Sequence, residues 1–307
     1  MKFKFMTTVF ILILFVIQPF NSSSKYDYYP TDGWLSATPE EHGMSSAVLV
    51  GMYEYIEKNN LDIDCVIVIK NGYIVEERYL DPKYDQNTLH QIYSCTKSIT
   101  SALIGITIHD GYISSINRHI LDFFPEREIA NLDSQKQAIT LEHLLSMTSG
   151  LDWKEWPTFV PYGDPANTVN KWHESEDWVK FVLDRPMANE SGEVFNYNSG
   201  TSHLLSAIIQ YVTGNSTLSF AQKHLFGPLG IKSTNFDWPT DPQGINLGGT
   251  GITMTPRDMA KFGFLYLNYG IWDGKQIIPR EWVEISTRSH ISASSHIRGK
   301  DYGYQWW

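Results

Sequence analysis

The N-terminal part of the chain shows two patterns of apolar and polar positions, one helical and one typical of strands. In SSAVLVGMYEYIEKNN, apolar residues recur at helical spacing, at Val48, Leu49, Met52, Tyr55 and Ile56. The next segment, DCVIVIKNGYIVEERYL, has two β-rich runs on either side of Asn71-Gly72, a strong signal for a hairpin. The patterns therefore predict a helix followed by an antiparallel hairpin.

A long apolar helix and a helical middle region are predicted next. From Cys95 to His109 the chain is apolar on nearly every face, which predicts a buried helix. Further helix starts are predicted where a capping residue precedes an apolar period, at Thr140, Ser175 and Thr255, the last with Pro256 in the first turn. Residues 112–245 are thus expected to be mostly helical. A second short hairpin is predicted around Asp273-Gly274.

One segment of the middle region has little periodicity. It runs from Leu151 to Trp178 and contains several tryptophans and Tyr162. Long irregular segments inside domains are often functional, which would make Tyr162 a substrate-binding residue. The alternative is an aromatic cover on the core.

Composition narrows the class of protein. The chain has 307 residues, 42% of them hydrophobic, and a formal net charge of −10. This suits one large domain or two closely associated ones. Because no run of Lys and Arg stands out, nucleic acid is not an expected partner.

The first residues resemble a secretion signal. Two lysines precede an apolar run from Phe5 to Ile17, which is too short to cross a bilayer comfortably and suits the core of a signal peptide. We expect residues 1–24 to be this signal and residues 25–307 to be the domain, in a secreted, periplasmic or cell-surface protein. The alternative is an uncleaved anchor, so membrane contact is expected only through this leader.

Candidate chemistry begins at the start of the long helix, where Ser94-Cys-Thr-Lys97 stands. A serine hydroxyl is a poor nucleophile unless a base lies beside it, and residues three apart share a helix face. The apolar helix would desolvate Lys97 and lower its pKa into a useful range. The alternative is a capping serine and a solvated lysine. A second candidate is Tyr197, which stands just before another apolar helix.

The two cysteines contribute little to this prediction. Cys65 lies in an apolar run, and Cys95 lies inside the serine–lysine motif. Two buried thiols are expected, with Cys95 as a nucleophile the weaker alternative.

Five segments, in order, resemble the superfamily of serine β-lactamases and penicillin-binding proteins. They are YSCTKSITSALIG, TLEHLLSMTSGLDW, GEVFNYNSGTSHLLSAIIQYVTG, LFGPLGIKSTNF and GGTGITMTPRDMAKFGFLYLNYGIWDGKQIIP. The chain is most similar to the group that holds class C enzymes, esterases, D-aminopeptidases and 6-aminohexanoate-dimer hydrolases. The resemblance implies Ser94 as the acylated nucleophile, Lys97 as its partner and Tyr197 as the general base. It implies no metal or cofactor and a small-molecule or short peptide-like substrate.

The resemblance also implies the architecture. It is an α+β fold in which an antiparallel sheet is flanked by helices, with a mostly helical region inserted between the N-terminal hairpin and the last strands. One oxyanion donor is expected to be the backbone N–H of Ser94.

Two departures from the family pattern affect the expected function. The motif Tyr-x-Asn reads Tyr-Asn-Ser here, so Ser199 stands at the substrate-binding amide position and favours esters or amides over β-lactams. The third motif, Lys-Thr-Gly or His-x-Gly, is absent. The last residues are DYGYQWW, and YGYQWW is expected to be a strand-like run without a turn or a partner strand. We therefore expect the domain to be incomplete at its C-terminus, with the third motif and second oxyanion donor beyond Trp307. Alternatives are a catalytically inactive binding or sensor protein on the same fold and a true β-lactamase.

Overall fold

The computed structural model describes the backbone of residues 10–15, and residues 28–155 and 164–307 with their side chains. The chain divides into two units. The first contains the chain up to Ile92 together with Phe226–Asp237 and Thr253–Ile277. The second contains Tyr93–Leu225, Trp238–Ile252 and Ile278–Trp307.

The helices and strands follow in chain order. The α-helices are α1 Ser46–Lys58, α2 Cys95–His109, α3 Ser134–Gln137, α4 Leu141–Leu145, α5 Thr168–His173, α6 Trp178–Leu183, α7 Ser199–Thr213, α8 Thr217–Ala221, α9 Pro256–Leu267 and α10 Arg280–Ser286. The strands are β1 Phe10–Phe15, β2 Ile63–Lys70, β3 Tyr73–Tyr79, β4 His90–Gln91, β5 Phe236–Asp237, β6 Thr253–Met254, β7 Ile271–Trp272, β8 Lys275–Gln276, β9 Ile291–Ser292 and β10 Asp301–Tyr302.

The predicted helix and hairpin form the core of the first unit. Strands β2 and β3 are antiparallel, and both residues of their turn, Asn71 and Gly72, have positive φ, which is the conformation that this tight turn needs. Helix α1 packs on the hairpin through Leu49 and its neighbours one and two turns on. The predicted apolar face was too wide, because Val48 and Tyr55 are exposed.

Strand β1 comes from the apolar run that the sequence analysis assigned to the leader. It pairs with β2 in parallel, whereas the other pairs of named strands in the described residues are antiparallel. Two smaller sheets of the first unit are β4-β6-β5 and β7-β8, the latter being the second predicted hairpin. The mixed helix and sheet content confirms the predicted α+β fold, and cleavage after residue 24 stays a prediction.

The second unit is built around α2 and α7, which are buried along most of their length and pack on each other. Helix α7 begins after Asn198, whose side chain accepts the N–H of Thr201 at 3.0 Å. It ends at Gly214, which has φ 67°. Helices α4 and α6 pack against α7. This arrangement holds the first turns of α2 and α7 side by side.

Most predicted helix starts are confirmed, and one is wrong. Thr140 and Thr255 occupy the N-cap positions of α4 and α9, as expected. The predicted cap at Ser175 lies too early, because Asp177 caps α6 by accepting the N–H of Lys180 at 2.9 Å. Serine and aspartate are equally good caps, so the sequence pattern alone does not separate Ser175 from Asp177. Helix α5 lies inside the segment that was predicted to be irregular.

The final residues were expected to form a strand-like run without a partner strand, and this is wrong for Tyr302. Strand β10 pairs with β9, and Gln305 then turns the chain with φ 64°. The buried Gln305 amide donates to the carbonyls of Leu144 and Leu145, both at 3.0 Å. The end of the described chain is therefore tied to α4.

Gly105 offers a test of the packing between α2 and α10. A Cβ at this position would lie 2.2 Å from Cγ of Trp282, inside the indole ring. Gly105→Ala should therefore destabilise the fold by about 1–3 kcal/mol, although alanine favours helices. Chemical unfolding measures the loss, and Gly51→Ala in α1, where nothing lies within 4 Å, is the matched control. An unchanged midpoint for Gly105→Ala would contradict the packing of Trp282.

Within the described part of the chain, no helix is both long enough and apolar enough to cross a membrane.

Candidate active site

Ser94 lies at the N-cap position of α2 and is exposed. Tyr93 before it has φ 44°, a left-handed conformation that costs a non-glycine residue about 1 kcal/mol or more. This residue turns the chain into the helix, so that Ser94 stands at its open end. The hydroxyl is thus presented to solvent at the positive end of the helix dipole.

Lys97 lies one turn further along α2 and is buried, with 1% of its surface exposed. Among the described residues, three oxygens lie within hydrogen-bond distance of its Nζ. They are the Gly249 carbonyl at 2.6 Å, Ser199 Oγ at 2.9 Å and Ser94 Oγ at 3.3 Å. Desolvation by burial lowers the pKa of Lys97 to about 8, and the nearby Glu155 charge opposes this shift.

Glu155 is a buried carboxylate behind Ser199. It accepts the Ser199 hydroxyl at 2.6 Å and the Ser199 backbone N–H at 2.7 Å. It also accepts the indole N–H of Trp153 at 2.7 Å. Because these donors surround the carboxylate, its position is fixed and the proton of Ser199 points to it.

Tyr197 completes the cluster. Its ring lies 4.8 Å from Lys97 Nζ and stacks on the half-exposed indole of Trp307 at 5.9 Å. Burial raises the pKa of Tyr197, as does the Glu155 charge, while a hydrogen bond with the Ser94 side chain opposes the shift. The phenol is therefore protonated at neutral pH.

The structure brings four of the five predicted site residues together, namely Ser94, Lys97, Tyr197 and Ser199. Tyr162 lies outside the described residues. The expectation of two buried thiols is wrong for Cys95, which is exposed beside Ser94, whereas Cys65 is buried. Among residues 28–155 and 164–307, no group of three or more potential ligand side chains could hold a metal ion.

Sequence reasoning missed two members of the cluster, Glu155 and Gly249. Glu155 stands between two tryptophans in the aperiodic segment, so a single acidic residue in an apolar context was the available signal. Gly249 belongs to Gly248-Gly249-Thr-Gly, a run that signals close backbone approach. A Cβ on Gly249 would lie 2.9 Å from the carbonyl oxygen of Ser199.

An exposed serine at a helix start with a buried lysine beside it is an arrangement found in serine hydrolases that share the β-lactamase fold. The sequence profile described as beta-lactamase matches residues 36–307, and the chain therefore belongs to the β-lactamase family. The family predicted from the sequence is confirmed.

Individual relatives are distant. A 6-aminohexanoate-dimer hydrolase of Paenarthrobacter ureafaciens is 23% identical over 266 residues, covering 80% of this chain and 64% of its own. Protein flp of Staphylococcus aureus strain MW2 is 26% identical over 191 residues, covering 59% of this chain and 36% of its own. This chain thus spans less than two thirds of the length of the curated relatives it matches.

Solved structures support the fold. A Bacillus anthracis protein assigned as a 6-aminohexanoate-dimer hydrolase aligns with a TM-score of 0.68 and 22% identity, covering 92% of this chain and 75% of its own.

Proposed function

We propose that the protein is a serine hydrolase that cleaves an ester or amide by acyl transfer through Ser94. The observation that carries this proposal is the set of oxygens around Lys97 Nζ. Gly249 offers a carbonyl, which only accepts hydrogen bonds. The proton of Ser199 is engaged by Glu155, so Ser199 Oγ also accepts from Lys97.

Two N–H bonds of Lys97 are therefore directed to Gly249 and Ser199, and a third direction remains toward Ser94. In the ammonium form this direction carries a proton that donates to Ser94 Oγ. In the neutral amine it carries the lone pair, which accepts the Ser94 proton. The surroundings of Lys97 thus support its role as the base that activates Ser94.

The family resemblance implied Tyr197 as the general base, and the pKa directions favour a different division of roles. A phenol with a raised pKa is a poor proton acceptor at neutral pH, whereas Lys97 has a pKa of about 8. We assign the base to Lys97 and the proton donor for the leaving group to Tyr197, which is hydrogen-bonded to Ser94.

The reaction then follows in two stages. Ser94 Oγ bonds to the substrate carbonyl carbon as its proton moves to Lys97. The leaving group departs with a proton passed through Tyr197, and Lys97 restores that proton. In the second stage, water bonds to the acyl carbon as its proton passes through Tyr197 to Lys97. The bond to Ser94 Oγ then breaks, Lys97 returns the proton to Ser94, and the acid is released. The Ser94 backbone N–H is one oxyanion donor.

The pH dependence follows from Lys97. Because the neutral amine is the active form, kcat/KM should rise with pH through about 8 and then level off. Glu155→Gln removes a charge that raises the pKa of Lys97, so the rise should move to lower pH while the maximum falls. Ester turnover from acidic to alkaline pH measures both. Glu190→Gln, at an exposed carboxylate, is the control. An unchanged pH profile in Glu155→Gln would contradict the electrostatic coupling between Glu155 and Lys97.

The substrate class follows from Ser199. Its hydroxyl is engaged by both Lys97 and Glu155, so it cannot hold a substrate carbonyl as an amide side chain would. The Paenarthrobacter relative is named as a hydrolase of the 6-aminohexanoate dimer, which is not a β-lactam name and so points the same way. We expect short-chain esters or linear amides to be cleaved at least about tenfold faster than a chromogenic cephalosporin. Comparable kcat/KM values would favour the β-lactamase alternative.

The alternative, an inactive binding or sensor protein, predicts a different result from that of a hydrolase. A protein of that kind would bind a ligand beside Ser94 without turning it over.

We propose a secreted, periplasmic or cell-surface location from the leader. Detection of the protein in the extracellular or periplasmic fraction, with its N-terminus processed near residue 24, would support this location, and an exclusively cytoplasmic protein would contradict it.

A further inference from the structure

A second buried polar pair lies one turn along α7 from Ser199. His203 and Asp241 have side chains with no exposed surface, and His203 Nε2 lies 2.9 Å from Asp241 Oδ2. The other carboxylate oxygen, Oδ1, accepts the backbone N–H groups of Gln243 at 2.9 Å and Ile245 at 2.8 Å. Asp241 therefore closes a turn of the chain and orients the imidazole at the same time.

The opposite nitrogen of the imidazole faces a glycine. Nδ1 of His203 lies 3.5 Å from the backbone nitrogen of Gly248 and accepts its N–H. A carboxylate can only accept, so the ring proton must be on Nε2, and Nδ1 is left with its lone pair. The rings of Trp172 and Trp178 stand edge-on to the imidazole at 5.6 and 5.7 Å and fix its plane.

Gly248 and Gly249 in turn hold α2. The Gly248 carbonyl accepts the hydroxyl of Thr100 at 2.9 Å, and the Gly249 carbonyl accepts Lys97 Nζ at 2.6 Å. A Cβ on Gly248 would lie 2.2 Å from the Ser202 carbonyl oxygen, so this segment lies against the backbone of α7. Its orientation is set by hydrogen bonds, among them the one to His203.

We propose that Asp241 and His203 are positioning residues of the serine–lysine site. Asp241 fixes the tautomer of His203, His203 holds the Gly248 N–H, and the segment then directs the Gly249 carbonyl at Lys97. This inference rests on the proposed role of Lys97 as the base.

The substitution Asp241→Asn tests the chain of contacts with little change in shape. The Asn oxygen can still accept the N–H groups of Gln243 and Ile245, but its amide nitrogen is a donor that faces His203 Nε2. The imidazole proton must then move to Nδ1, where it meets the Gly248 N–H. The substitution alters the tautomer and the contact to Gly248, and it also removes the negative charge of Asp241.

We expect kcat for ester hydrolysis to fall about tenfold in Asp241→Asn with KM little changed, since one hydrogen bond that aligns the base is lost. The pH at which activity rises should move lower. The Gly249 carbonyl favours the ammonium form of Lys97, so its misalignment should lower the pKa of Lys97. Nitrogen NMR of ¹⁵N-histidine-labelled protein should show the non-protonated nitrogen of His203 change from Nδ1 to Nε2.

The matched control is Asp110→Asn. Asp110 also pairs with a histidine, His224 at 3.5 Å, but at the C-terminal end of α2, and its loss should leave kcat unchanged. If Asp241→Asn does not fold, His203→Gln should give the same loss, because one amide cannot reach both Asp241 and Gly248.

A changed tautomer with unchanged kcat and pH profile would overturn the inference, as would unchanged activity in folded His203→Gln. Failure of the proposed function looks different, since the unmutated protein would then show neither turnover nor acylation of Ser94.

Discussion

Replacing Ser94 by alanine is expected to reduce turnover of an activated ester by about four orders of magnitude or more. The acyl-enzyme cannot form without the hydroxyl. Lys97 is buried, so its amine cannot replace the exposed Ser94 hydroxyl as the nucleophile. Because Ser94 is exposed, folding should be retained even though its hydroxyl's contacts with Lys97 and Tyr197 are lost. Initial rates with a nitrophenyl ester and a thermal melt measure the two properties.

Cys95→Ala is the matched control for this variant. The thiol is adjacent in sequence, exposed and the rival nucleophile. We expect Cys95→Ala to retain activity within a few-fold. Loss of activity in Cys95→Ala, with activity retained in Ser94→Ala, would assign the reaction to the cysteine and reject the proposed mechanism.

The second large effect is expected at Lys97. Lys97→Met keeps the length of the side chain and removes the amine, so kcat/KM should fall by about three orders of magnitude. Tyr197→Phe should lower kcat/KM by about two orders of magnitude, since it removes only the proton donor to the leaving group. Steady-state kinetics with esters of different leaving groups compare the variants. Hydrolysis of an ester with a poor leaving group should be slowed more by Tyr197→Phe than hydrolysis of an ester with a good one.

A buried lysine next to a buried carboxylate requires a folding control. Lys97→Met leaves Glu155 without its counter-charge, so Lys97→Met/Glu155→Gln should be the more stable variant and equally inactive. Activity in the double variant near that of the unmutated protein would contradict the role of Lys97.

The elements that depend on neighbouring residues in the sequence could be predicted. The hairpin at Asn71-Gly72 and the helix that begins after Ser94 are encoded by local patterns, and a serine and a lysine three residues apart on one helix must share a face. The cap of α6 was misplaced because Ser175 and Asp177 both suit that position, and only tertiary packing decides between them.

The contacts that join distant residues could not be predicted. Glu155 reaches Ser199 across 44 positions in the sequence, and Gly249 reaches Lys97 across 152. No local pattern specifies such pairs, since they result from packing α7 against α2. The same holds for His203 and Asp241, which are 38 positions apart.

Ser94 is expected to be a working nucleophile, and reaction with a fluorophosphonate tests this most directly. The serine oxygen bonds to phosphorus as fluoride leaves, so the protein should gain the mass of one phosphonyl group. Peptide mapping by mass spectrometry should place that group on Ser94 rather than Cys95, and Ser94→Ala should gain none. A folded protein that remains unlabelled, or equal labelling of Ser94→Ala, would contradict the account.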